Sequence, residues 1–458
     1  MHYEKFADDS VKCIEDEIPF ELPDGWAWLR LQSFIDFIGG SQPPKSTFEY
    51  SPSDDNIRLI QIRDYKTDKF MTFIPRDKAR RFCSKNDVMI GRYGPPIFQI
   101  LRGLEGSYNV ALMKAVADPQ IVLNDYLFYL LQDGELLRML ESLSDRTCGQ
   151  DGINMYELNR YIVGIPPLNE QRRIIDFIEK AVPLVESVTK LKEEMSALIF
   201  QAKSKILDMA IRGRLVPQDP ADEPASLLLE RIRAEKEELI KQGKIKRDKK
   251  ESFIFRGDDN SYYRRSPDGL EDITDDLPYD IPDSWEWTSI SELFSINPRN
   301  KIAEDMVVSF IPMPLIDDGY SGCHRSETKE WKSIKTGFSH FQNGDIGIAK
   351  ITPCFENRKS VIFRDLCNGY GAGTTELHIL RPQYRDCVLP EYALALLKSE
   401  RFIQSGMQAF TGAVGQQRIG KDYVMNTYFP LPPYAEQRRI IDRINKLFTL
   451  IATIESAL

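Results

Sequence analysis

The residue types that usually carry catalysis or bind metals are few in this sequence, and their spacing does not fit such sites. The 458 residues include seven cysteines without a Cys-x-x-Cys pair and only four histidines. Zinc sites and disulfide frameworks need these residues in clusters, so neither is predicted, and a reducing environment is expected. His324, His340 and His378 have no serine-elbow or acidic partner at a recognisable spacing. They are not predicted to be catalytic.

Glycine- and proline-rich stretches raise the question of nucleotide or methyl-group chemistry. No stretch matches the Gly-x4-Gly-Lys-Ser/Thr loop that cradles phosphates on backbone amides. The glycines of residues 369–373 lack GxGxxG spacing, so a turn is predicted there. The Pro-Pro pairs at 94–97, 165–168 and 431–434 lack the polar first residue of the Asn/Asp-Pro-Pro-aromatic tetrapeptide of amino-methyltransferases. Neither an NTPase nor a methyl-transfer site is predicted.

Composition and charge fit a globular protein without a general affinity for nucleic acid. The chain is 42% hydrophobic and 28% charged, and its net charge is -9. At roughly 150 residues per domain, about three units are expected. The negative charge excludes a uniformly basic surface, so any DNA contact must use local basic patches. No apolar run approaches the ~18 residues of a membrane span, and the acidic N-terminal region does not resemble a signal peptide. A cytoplasmic protein without a membrane partner is predicted.

The sequence contains one pattern twice. Residues 22–28, Leu-Pro-Asp-Gly-Trp-Ala-Trp, return as Ile-Pro-Asp-Ser-Trp-Glu-Trp at 281–287, an offset of 259 from Trp26 to Trp285. Residues 165–176 return at 431–442, an offset of 266 from Glu170 to Glu436, with seven identical residues starting at that glutamate. The stretches between these anchors diverge. Such a distribution fits two recognition domains that share a framework and differ in their loops. It also fits a plain duplication whose loop sequences diverged without functional meaning.

Each copy leads into a helix with the spacing of a coiled coil. In the helix after the first copy, Asn169 is the predicted N-cap and Gly213 the predicted C-cap. Pro217 prevents this helix from continuing. Such a helix would be roughly 65 Å long at 1.5 Å per residue. Pro183 predicts a kink. The apolar seam, with intervals of four and three, is Ile174, Ile178, Ala181, Val185, Val188, Met195, Ile199, Ala202, Ile206 and Met209.

The second copy repeats the seam over a shorter length. Its members are Ile440, Ile444, Leu447, Ile451, Ile454 and Leu458. A partner matching the first helix would need about twenty further residues. Either the second helix is short or another chain completes the far end of the first. Antiparallel pairing of the two helices would place the globular copies at opposite ends.

The globular copies are predicted to be mixed α/β. Strands are expected at 57–62, 88–92, 109–116, 307–312, 346–351 and 375–380, and helices at 125–143 and 390–405. The stretch between the copies divides into a turn-rich piece, a helix over 225–242 and a basic, mobile piece containing Lys244 to Lys250, after which acidic and aromatic residues follow.

Two globular copies, each followed by Pro-Pro-x-x-Glu-Gln-Arg-Arg-Ile and a long helix, resemble the specificity subunit of type I restriction-modification enzymes. The motif stands at 166–174 and 432–440. Residues 213–217, Gly-Arg-Leu-Val-Pro, and 227–232, Leu-Leu-Leu-Glu-Arg-Ile, are similar to the segment after the central helix of that family. The short second helix and the long linker depart from the family pattern.

The resemblance implies a non-catalytic subunit in which each domain reads one half of a split, asymmetric DNA site. It implies two target-recognition domains joined by two long antiparallel helices that form a coiled coil, with an internal pseudo-two-fold repeat. The divisions are target-recognition domain 1 (1–165), a central long helix (166–215), a linker with a short helix (216–278), target-recognition domain 2 (279–432) and the second of the two long helices, which is the shorter one (433–458).

The resemblance also implies the partners. The helices would set the spacing between the half-sites and dock the modification (methyltransferase) subunits, which are expected to be two. Restriction (translocase) subunits and double-stranded DNA complete the expected assembly. No cofactor is expected in this chain, because S-adenosylmethionine, ATP and Mg would belong to the partner subunits.

Polar residues in the divergent loops are the candidate DNA contacts, since Arg reads guanine and Asn or Gln reads adenine. Arg92 in the turn 91–94 is the strongest candidate. The candidates of the first copy are Lys45, Gln61, Arg63, Arg92, Tyr93, Gln99, Arg102, Gln150 and Asn154. Those of the second are Arg299, Lys301, Lys350, Thr352, Asn357, Arg358, Lys359, Thr374, Gln416 and Arg418.

The first turns of the two helices have two interpretations. They either attach each domain to its helix or form a subunit-docking surface. The residues concerned are Glu170, Gln171, Arg172, Glu436, Gln437 and Arg438. The alternating tryptophans at the start of each copy are predicted to be partly core and partly support for the reading loops.

Two other functions stay open at this point. One is a self-contained DNA methyltransferase or nuclease, against which the absent cofactor motifs weigh. The other is a coiled-coil scaffold whose globular ends bind proteins.

Overall fold

The computed structural model describes residues 2–5, 8–94, 96–144, 152–243, 252–413 and 415–458. The chain divides into two compact units, Met1–Thr189 and Lys190–Leu458. Within the described ranges, no helix combines the length and the apolar character needed to cross a membrane.

The first unit holds the first copy of the repeated pattern. Its strands are β1 (Tyr3–Lys5), β2 (Val11–Cys13), β3 (Ala27–Arg30), β4 (Ile35–Gly39), β5 (Asn56–Ile60), β6 (Phe73–Pro75), β7 (Phe82–Cys83), β8 (Val88–Gly91), β9 (Gln99–Leu101), β10 (Gly106–Tyr108), β11 (Leu112–Ala117) and β12 (Ile162–Ile165). Its helices are α1 (Asn124–Leu130), α2 (Gly134–Ser144), α3 (Met155–Arg160) and the first part of α4 (Leu168–Ile211).

Two four-stranded sheets form the centre of this unit, in the orders β4-β11-β8-β9 and β6-β5-β10-β7. β5 and β10 are parallel, with Leu59 opposite Ser107. β8 is buried along its whole length, as an uninterrupted apolar strand between two neighbours should be. α1, α2 and α3 cover the first sheet, and Leu127 and Leu158 pack with Ile90 and Met113 in one core.

The second unit holds the second copy, preceded by the linker. Its strands are β13 (Phe253–Arg256), β14 (Tyr262–Ser266), β15 (Gly269–Asp272), β16 (Glu286–Ser289), β17 (Phe294–Ile296), β18 (Val307–Ile311), β19 (Glu327–Glu330), β20 (Ser339–Gln342), β21 (Ile346–Ala349), β22 (Ser360–Ile362), β23 (Tyr370–Gly373), β24 (Leu377–Pro382) and β25 (Tyr428–Leu431). Its helices are α5 (Ala225–Lys241), α6 (Ile290–Leu293), α7 (Trp331–Ile334), α8 (Pro390–Leu397), α9 (Glu400–Gln408), α10 (Lys421–Met425) and α11 (Tyr434–Glu455).

The two copies have the same sheet topology. The orders β17-β24-β21-β22 and β19-β18-β23-β20 in the second unit repeat those of the first, including the parallel pair, which is here β18 and β23. The two-stranded ribbon β16-β25 corresponds to β3-β12. This repetition confirms the predicted mixed α/β fold with an internal repeat.

The expected strands are present, but each expected long helix of the globular copies is two helices. The segment 125–143 forms α1 and α2, and the segment 390–405 forms α8 and α9. The breaks lie at equivalent positions. Asp133 accepts from the amide of Glu135, and Ser399 accepts from the amide of Phe402. A side-chain acceptor just before a helix caps its N-terminus, so a new helix starts after Asp133 and after Ser399.

The linker contains a sheet that was not predicted from the sequence. The expected helix is α5, but the strands β13, β14 and β15 follow it as an antiparallel sheet. Ile254 of β13 and Ile273, directly after β15, form one buried cluster with Trp287. The linker is therefore partly structured and joined to the second copy. The basic piece 244–250 lies outside the described residues.

α4 and α11 pair antiparallel near the end of α4. The Lys203 Nζ lies 2.8 Å from the Glu455 carboxylate, whereas Ile211 shares a core with Ile440, at the opposite end of α11. The predicted pairing of the two helices is thus present over the last turns of α4. The placement of the copies at opposite ends stays a prediction.

The predicted seam of α4 needs correction. The helix begins at Leu168, so Asn169 lies inside its first turn, and the helix continues through Pro183. The earlier seam residues Val185 and Val188 are exposed. In the second half of the helix, Ile199 of the predicted seam is buried and Ile206 packs on the core, but Leu207, Ala210 and Ile211, which lay outside the predicted seam, are buried as well. This broader buried face arises because the end of α4 packs against both α11 and the second globular copy.

The second unit buries a lysine directly after α8. Lys398 is 3% exposed, and its Nζ donates to the carbonyl oxygens of Gly319 (2.6 Å) and Arg358 (2.8 Å). Among the residues described, no carboxylate pairs with it. Burial, together with the nearby Arg358 cation, lowers the pKa of Lys398 to about 7.

The free energy of unfolding should therefore depend on pH through Lys398. An unfolded lysine has a pKa of about 10.4, so between about pH 7 and pH 10 the unfolded chain binds a proton that the folded chain lacks. Relative to a Lys398→Met variant, the native protein should gain up to roughly 1.4 kcal/mol of stability per pH unit in this window. Urea unfolding of both proteins at several pH values measures the difference. A difference that does not change with pH would contradict the buried neutral lysine.

Candidate nucleic-acid interface

In the second copy, several predicted contact residues meet where β21 ends. The backbone amide of Lys350 donates to the carbonyl of Glu376 (3.0 Å), and the amide of Thr352 donates to the carbonyl of Gln417 (3.0 Å). Ile351 forms an isolated β-bridge with Arg418. Three loops, around residues 350–352, 374–376 and 416–418, therefore form one corner at the end of this strand. We call this the strand-end corner.

The first copy forms the same corner where β8 ends. The amide of Arg92 donates to the carbonyl of Ala111 (2.9 Å), as Lys350 does to Glu376. Tyr93 bridges Gly152, as Ile351 bridges Arg418. The backbone framework of the corner is thus duplicated, while the side chains that it displays differ.

The cations of the two corners, all partly buried, differ in how firmly they are held. The Arg92 guanidinium lies over the Tyr93 ring, 5.5 Å from its centroid. In the described part of the chain the side chain of Lys350 has no hydrogen bond or ion pair. Arg418 is bound by both oxygens of Glu376, at 2.9 and 3.0 Å. This ion pair lowers the pKa of the Glu376 carboxyl. Arg92 and Lys350 are the more available cations.

The remaining corner candidates of the second copy are small or amide side chains. Gln416 is exposed. The Thr374 hydroxyl accepts from the amide of Glu376 (3.1 Å). The Thr352 hydroxyl is buried, without a hydrogen-bond partner among the described residues. Gln150, the counterpart of Gln416 in the first copy, lies outside the described residues.

Other candidates of the second copy lie away from this corner. Lys301 and Asn357 are exposed. The exposed Arg299 donates to the carbonyl of Phe338 (2.9 Å), and Lys359 Nζ donates to the carbonyl of Ile316 (2.7 Å). Arg358 is only 6% exposed, pairs with Glu400 and donates to the carbonyl of Lys398. Arg358 therefore holds the domain together, which corrects its expected place on a contact surface.

Several candidates of the first copy also have structural partners. Gln61 and Asn154 cap short helices, and Gln99 donates to the carbonyl of Pro96 (2.9 Å). Arg102 lies over the Phe128 ring at 4.0 Å and pairs with Asp125 at 3.2 Å. It is thereby held against α1. Lys45 and Arg63 are exposed.

The histidines of the second copy serve as packing residues. His340 and His378 are buried, and burial lowers the pKa of both imidazoles. His340 Nε2 lies 3.0 Å from the Lys335 carbonyl, and His378 Nε2 lies 3.1 Å from the Ile419 carbonyl. In the residues that the structure describes, no group of histidine, cysteine and carboxylate side chains could hold a metal ion.

The repeated Glu-Gln-Arg-Arg motif positions each globular copy on its helix. Gln171 is fully buried; its Oε1 accepts from the amide of Leu123 (2.9 Å). Its Nε2 donates to the carbonyl oxygens of Ile121 (2.8 Å) and Pro166 (2.9 Å). We call this arrangement the glutamine clamp.

Gln437 forms the same clamp in the second copy. It is fully buried and binds the amide of Leu389 (2.8 Å) and the carbonyl oxygens of Cys387 and Pro432, both at 3.1 Å. The two glutamines are thus inaccessible to a partner, which supports the interpretation that they attach each domain to its helix. Arg172 and Arg438 are exposed.

The glutamates that precede the clamps differ between the copies. Glu436 is fully buried and accepts from Trp285 Nε1 (2.9 Å) and Gln218 Nε2 (2.6 Å). Burial raises the pKa of its carboxyl. Glu170 is partly exposed and makes no side-chain hydrogen bond within the described ranges. Neither the clamp nor this difference was apparent from sequence, although the seven-residue identity marked the place.

Comparison with known proteins decides which family these two copies represent. The family described as "Type I restriction modification DNA specificity domain" matches residues 23–197 and 282–458. The chain belongs to this family. Both copies, and the helix starts that carry the glutamine clamps, therefore lie in type I specificity domains, which confirms the resemblance seen in the sequence.

Individual relatives agree with this assignment. The EcoAI and EcoEI type I restriction enzyme specificity subunits of Escherichia coli are 46% and 43% identical over 259 and 258 residues, 56% of this chain in both cases. The match spans 41% and 40% of the length of these relatives.

Two solved structures have a similar fold. A chain from a study of complex assembly and conformational transition of the type I R-M system has a TM-score of 0.57 at 18% identity, covering 96% of this chain and 94% of that one. The HsdS subunit from Thermoanaerobacter tengcongensis has a TM-score of 0.51 at 17% identity, covering 96% and 93%.

Proposed function

We propose that this chain is the DNA specificity subunit of a type I restriction-modification complex and has no catalytic activity itself. Each globular copy reads one half of a split, asymmetric DNA sequence. The observation that carries this proposal is the duplicated strand-end corner on family-matched domains. One framework displays Arg92 and Tyr93 in the first copy and Lys350 and Ile351 in the second.

Different side chains on one framework are what two different half-sites require. An arginine that is free of carboxylates can donate two hydrogen bonds to guanine, and a lysine can donate to guanine or to phosphate. The net charge of -9 opposes tight DNA binding by this chain alone. We therefore infer that partner subunits supply much of the contact with the DNA backbone.

The proposed assembly contains two modification subunits and the restriction subunits, and it acts on double-stranded DNA in the cytoplasm. The partner subunits carry S-adenosylmethionine, ATP and Mg. The helices α4 and α11 set the distance between the half-sites, which lie about 35 Å apart when separated by one turn of B-DNA. The exposed first-turn arginines Arg172 and Arg438 belong to the surface that docks the modification subunits.

Methylation mapping tests this proposal. DNA from cells that co-express this chain with the modification subunit of its system should carry one split, asymmetric methylated motif. Deleting residues 20–165 should abolish this motif, because one half-site then has no reader. A stable complex that methylates no defined motif would contradict the proposal and favour globular ends that bind protein.

A further inference from the structure

The ion pair between Glu376 and Arg418, at the strand-end corner of the second copy, leaves part of the arginine free. Arg418 Nε donates to one carboxylate oxygen of Glu376 (2.9 Å) and Nη2 donates to the other (3.0 Å). Nη1 donates to the carbonyl of Gln416 (3.0 Å). A guanidinium has five N–H donors in one plane, so one hydrogen on Nη1 and one on Nη2 remain. Within the described ranges these two hydrogens have no acceptor.

The two remaining donors suit a base edge in the major groove. Nη1 and Nη2 are neighbouring nitrogens of one planar group, and two N–H groups of one arginine match the O6 and N7 acceptors of guanine. The Arg418 side chain is 40% exposed, whereas that of Glu376 is 27% exposed. A ligand can therefore reach the arginine while the carboxylate stays on its protein side.

The carboxylate of Glu376 fixes the orientation of the Arg418 guanidinium. A bidentate contact between arginine and carboxylate sets both the direction and the plane of the guanidinium. The backbone of Arg418 is held as well, because it forms isolated β-bridges with Ile351 and with Thr411. An arginine that is already fixed loses less conformational entropy when it binds a base. Glu376 therefore prepares Arg418 for one defined contact.

The first copy forms the same backbone corner without this ion pair. Its matching backbone contacts place Ala111 at the position of Glu376 and Gly152 at the position of Arg418. The corner thus folds without charged side chains at these two positions. A partly exposed ion pair also contributes little to stability. The presence of the pair in one copy alone therefore indicates a role in recognition and not in folding.

The charge of the pair favours a base contact over a phosphate contact. Glu376 and Arg418 together carry no net charge, so they add little to the general attraction of DNA phosphates. Lys350, in the same corner, has no ion pair among the described residues and is the better cation for a phosphate. A neutral pair that offers two N–H donors is suited to a contact that depends on base sequence.

We propose that Arg418 reads a guanine of the second half-site and that Glu376 is its positioning residue. This inference rests on the proposed function, since it names one base contact of one target-recognition domain. The first copy has no arginine at the equivalent position, so a guanine at the corresponding place is required in the second half-site only.

The double variant Glu376→Ala, Arg418→Ala removes the pair without changing the net charge. The full chain is assembled with its modification and restriction subunits, and competition binding measures every single-base variant of the methylated motif. The native complex should prefer guanine at one base pair of the second half-site by about 10- to 100-fold. The double variant should lower this preference below about three-fold and keep the native preferences in the first half-site.

A single variant tests the positioning role of Glu376. Glu376→Ala leaves Arg418 in place but free to turn, so the guanine preference should fall at least about three-fold. Glu376→Gln keeps one acceptor oxygen and should recover part of the preference. An unchanged guanine preference in Glu376→Ala would show that the glutamate does not position the arginine.

The matched control is the same double change to alanine at Arg364 and Glu391, another ion pair of the second copy. Arg364 follows β22 at the end of the sheet opposite the corner, because Ile362 pairs with Ile346 at the start of β21. This control should keep the native preference at every base pair. Thermal unfolding of both double variants should shift by less than about 4 °C, which shows that they fold.

The outcomes separate this inference from the proposed function. A variant without Glu376 and Arg418 that keeps every native base preference would overturn the inference, while the split motif would leave the proposed function standing. Equal weakening on all DNA sequences would identify a phosphate contact and would also overturn it. A native complex that methylates no split motif would overturn the proposed function and, with it, this inference.

Discussion

Replacing Arg92 by alanine should lower the affinity of the assembled restriction-modification complex for its target by about 10- to 100-fold, roughly 1–3 kcal/mol. Under the proposed function, the Arg92 guanidinium at the strand-end corner donates to a base edge of one half-site. Its removal should relax the sequence preference at one base pair of that half-site. Lys350→Ala should act on the other half-site alone. Competition binding with single-base variants of the target, together with methylation mapping, measures both effects.

Two exposed cations outside the corners provide matched controls. Arg138 lies on α2 and Lys332 on α7, and both are more than 60% exposed. Their alanine variants should bind every DNA variant as the native protein does. Arg92→Ala could instead weaken binding to all DNA sequences equally and lower the number of counterions released on binding by about one. The Arg92 contact would then be to phosphate. The assignment of Arg92 as a base reader would then be wrong.

Gln437→Ala should destabilise the second unit by about 3–5 kcal/mol, because it leaves buried backbone groups without partners and creates a cavity. The clamp satisfies the amide of Leu389 and the carbonyl oxygens of Cys387 and Pro432. The corresponding variant Gln171→Ala should destabilise the first unit by a similar amount. Urea unfolding of the full chain, followed by circular dichroism, should show an earlier transition in each variant.

The neighbouring arginines show whether the effect belongs to the clamp. Arg438→Ala and Arg172→Ala change exposed residues one position further along and should alter the unfolding free energy by less than about 0.5 kcal/mol. Gln437→Met keeps the volume of the side chain and removes its hydrogen bonds. Native stability in the methionine variant would show that volume, and not hydrogen bonding, is what the position requires.

The repeat, the mixed fold and the helix starts were predictable because each leaves a local mark. The alternating tryptophans and the shared Glu-Gln-Arg-Arg run show the duplication without any knowledge of contacts. β8 and β21 are short apolar runs bounded by turn residues, which is a direct signal for a buried strand. Arg92 could therefore be placed at the end of its strand from sequence, whereas the meeting of three loops at each strand-end corner could not.

The remaining features of the site depend on which other residues each side chain contacts. The spacing of residues in the sequence does not determine these contacts. Arg92 and Arg102 look alike in sequence, yet Arg92 lies over Tyr93 without an ion pair among the described residues, whereas Arg102 packs on Phe128 and pairs with Asp125. Arg358 looked like a surface cation and is buried against Glu400. The face of α4 that becomes buried near Ile211 is set by the second copy, which no heptad count includes.

The glutamine clamps bear on how this architecture can be varied. Gln171 and Gln437 bind only main-chain amides and carbonyls of the globular copies, so the clamps place no demand on the side chains of those loops. A domain of different sequence and the same backbone path can be exchanged by recombination at the Pro-Pro boundary without loss of its attachment. Under the proposed function, new half-site preferences are then inherited independently of the helices.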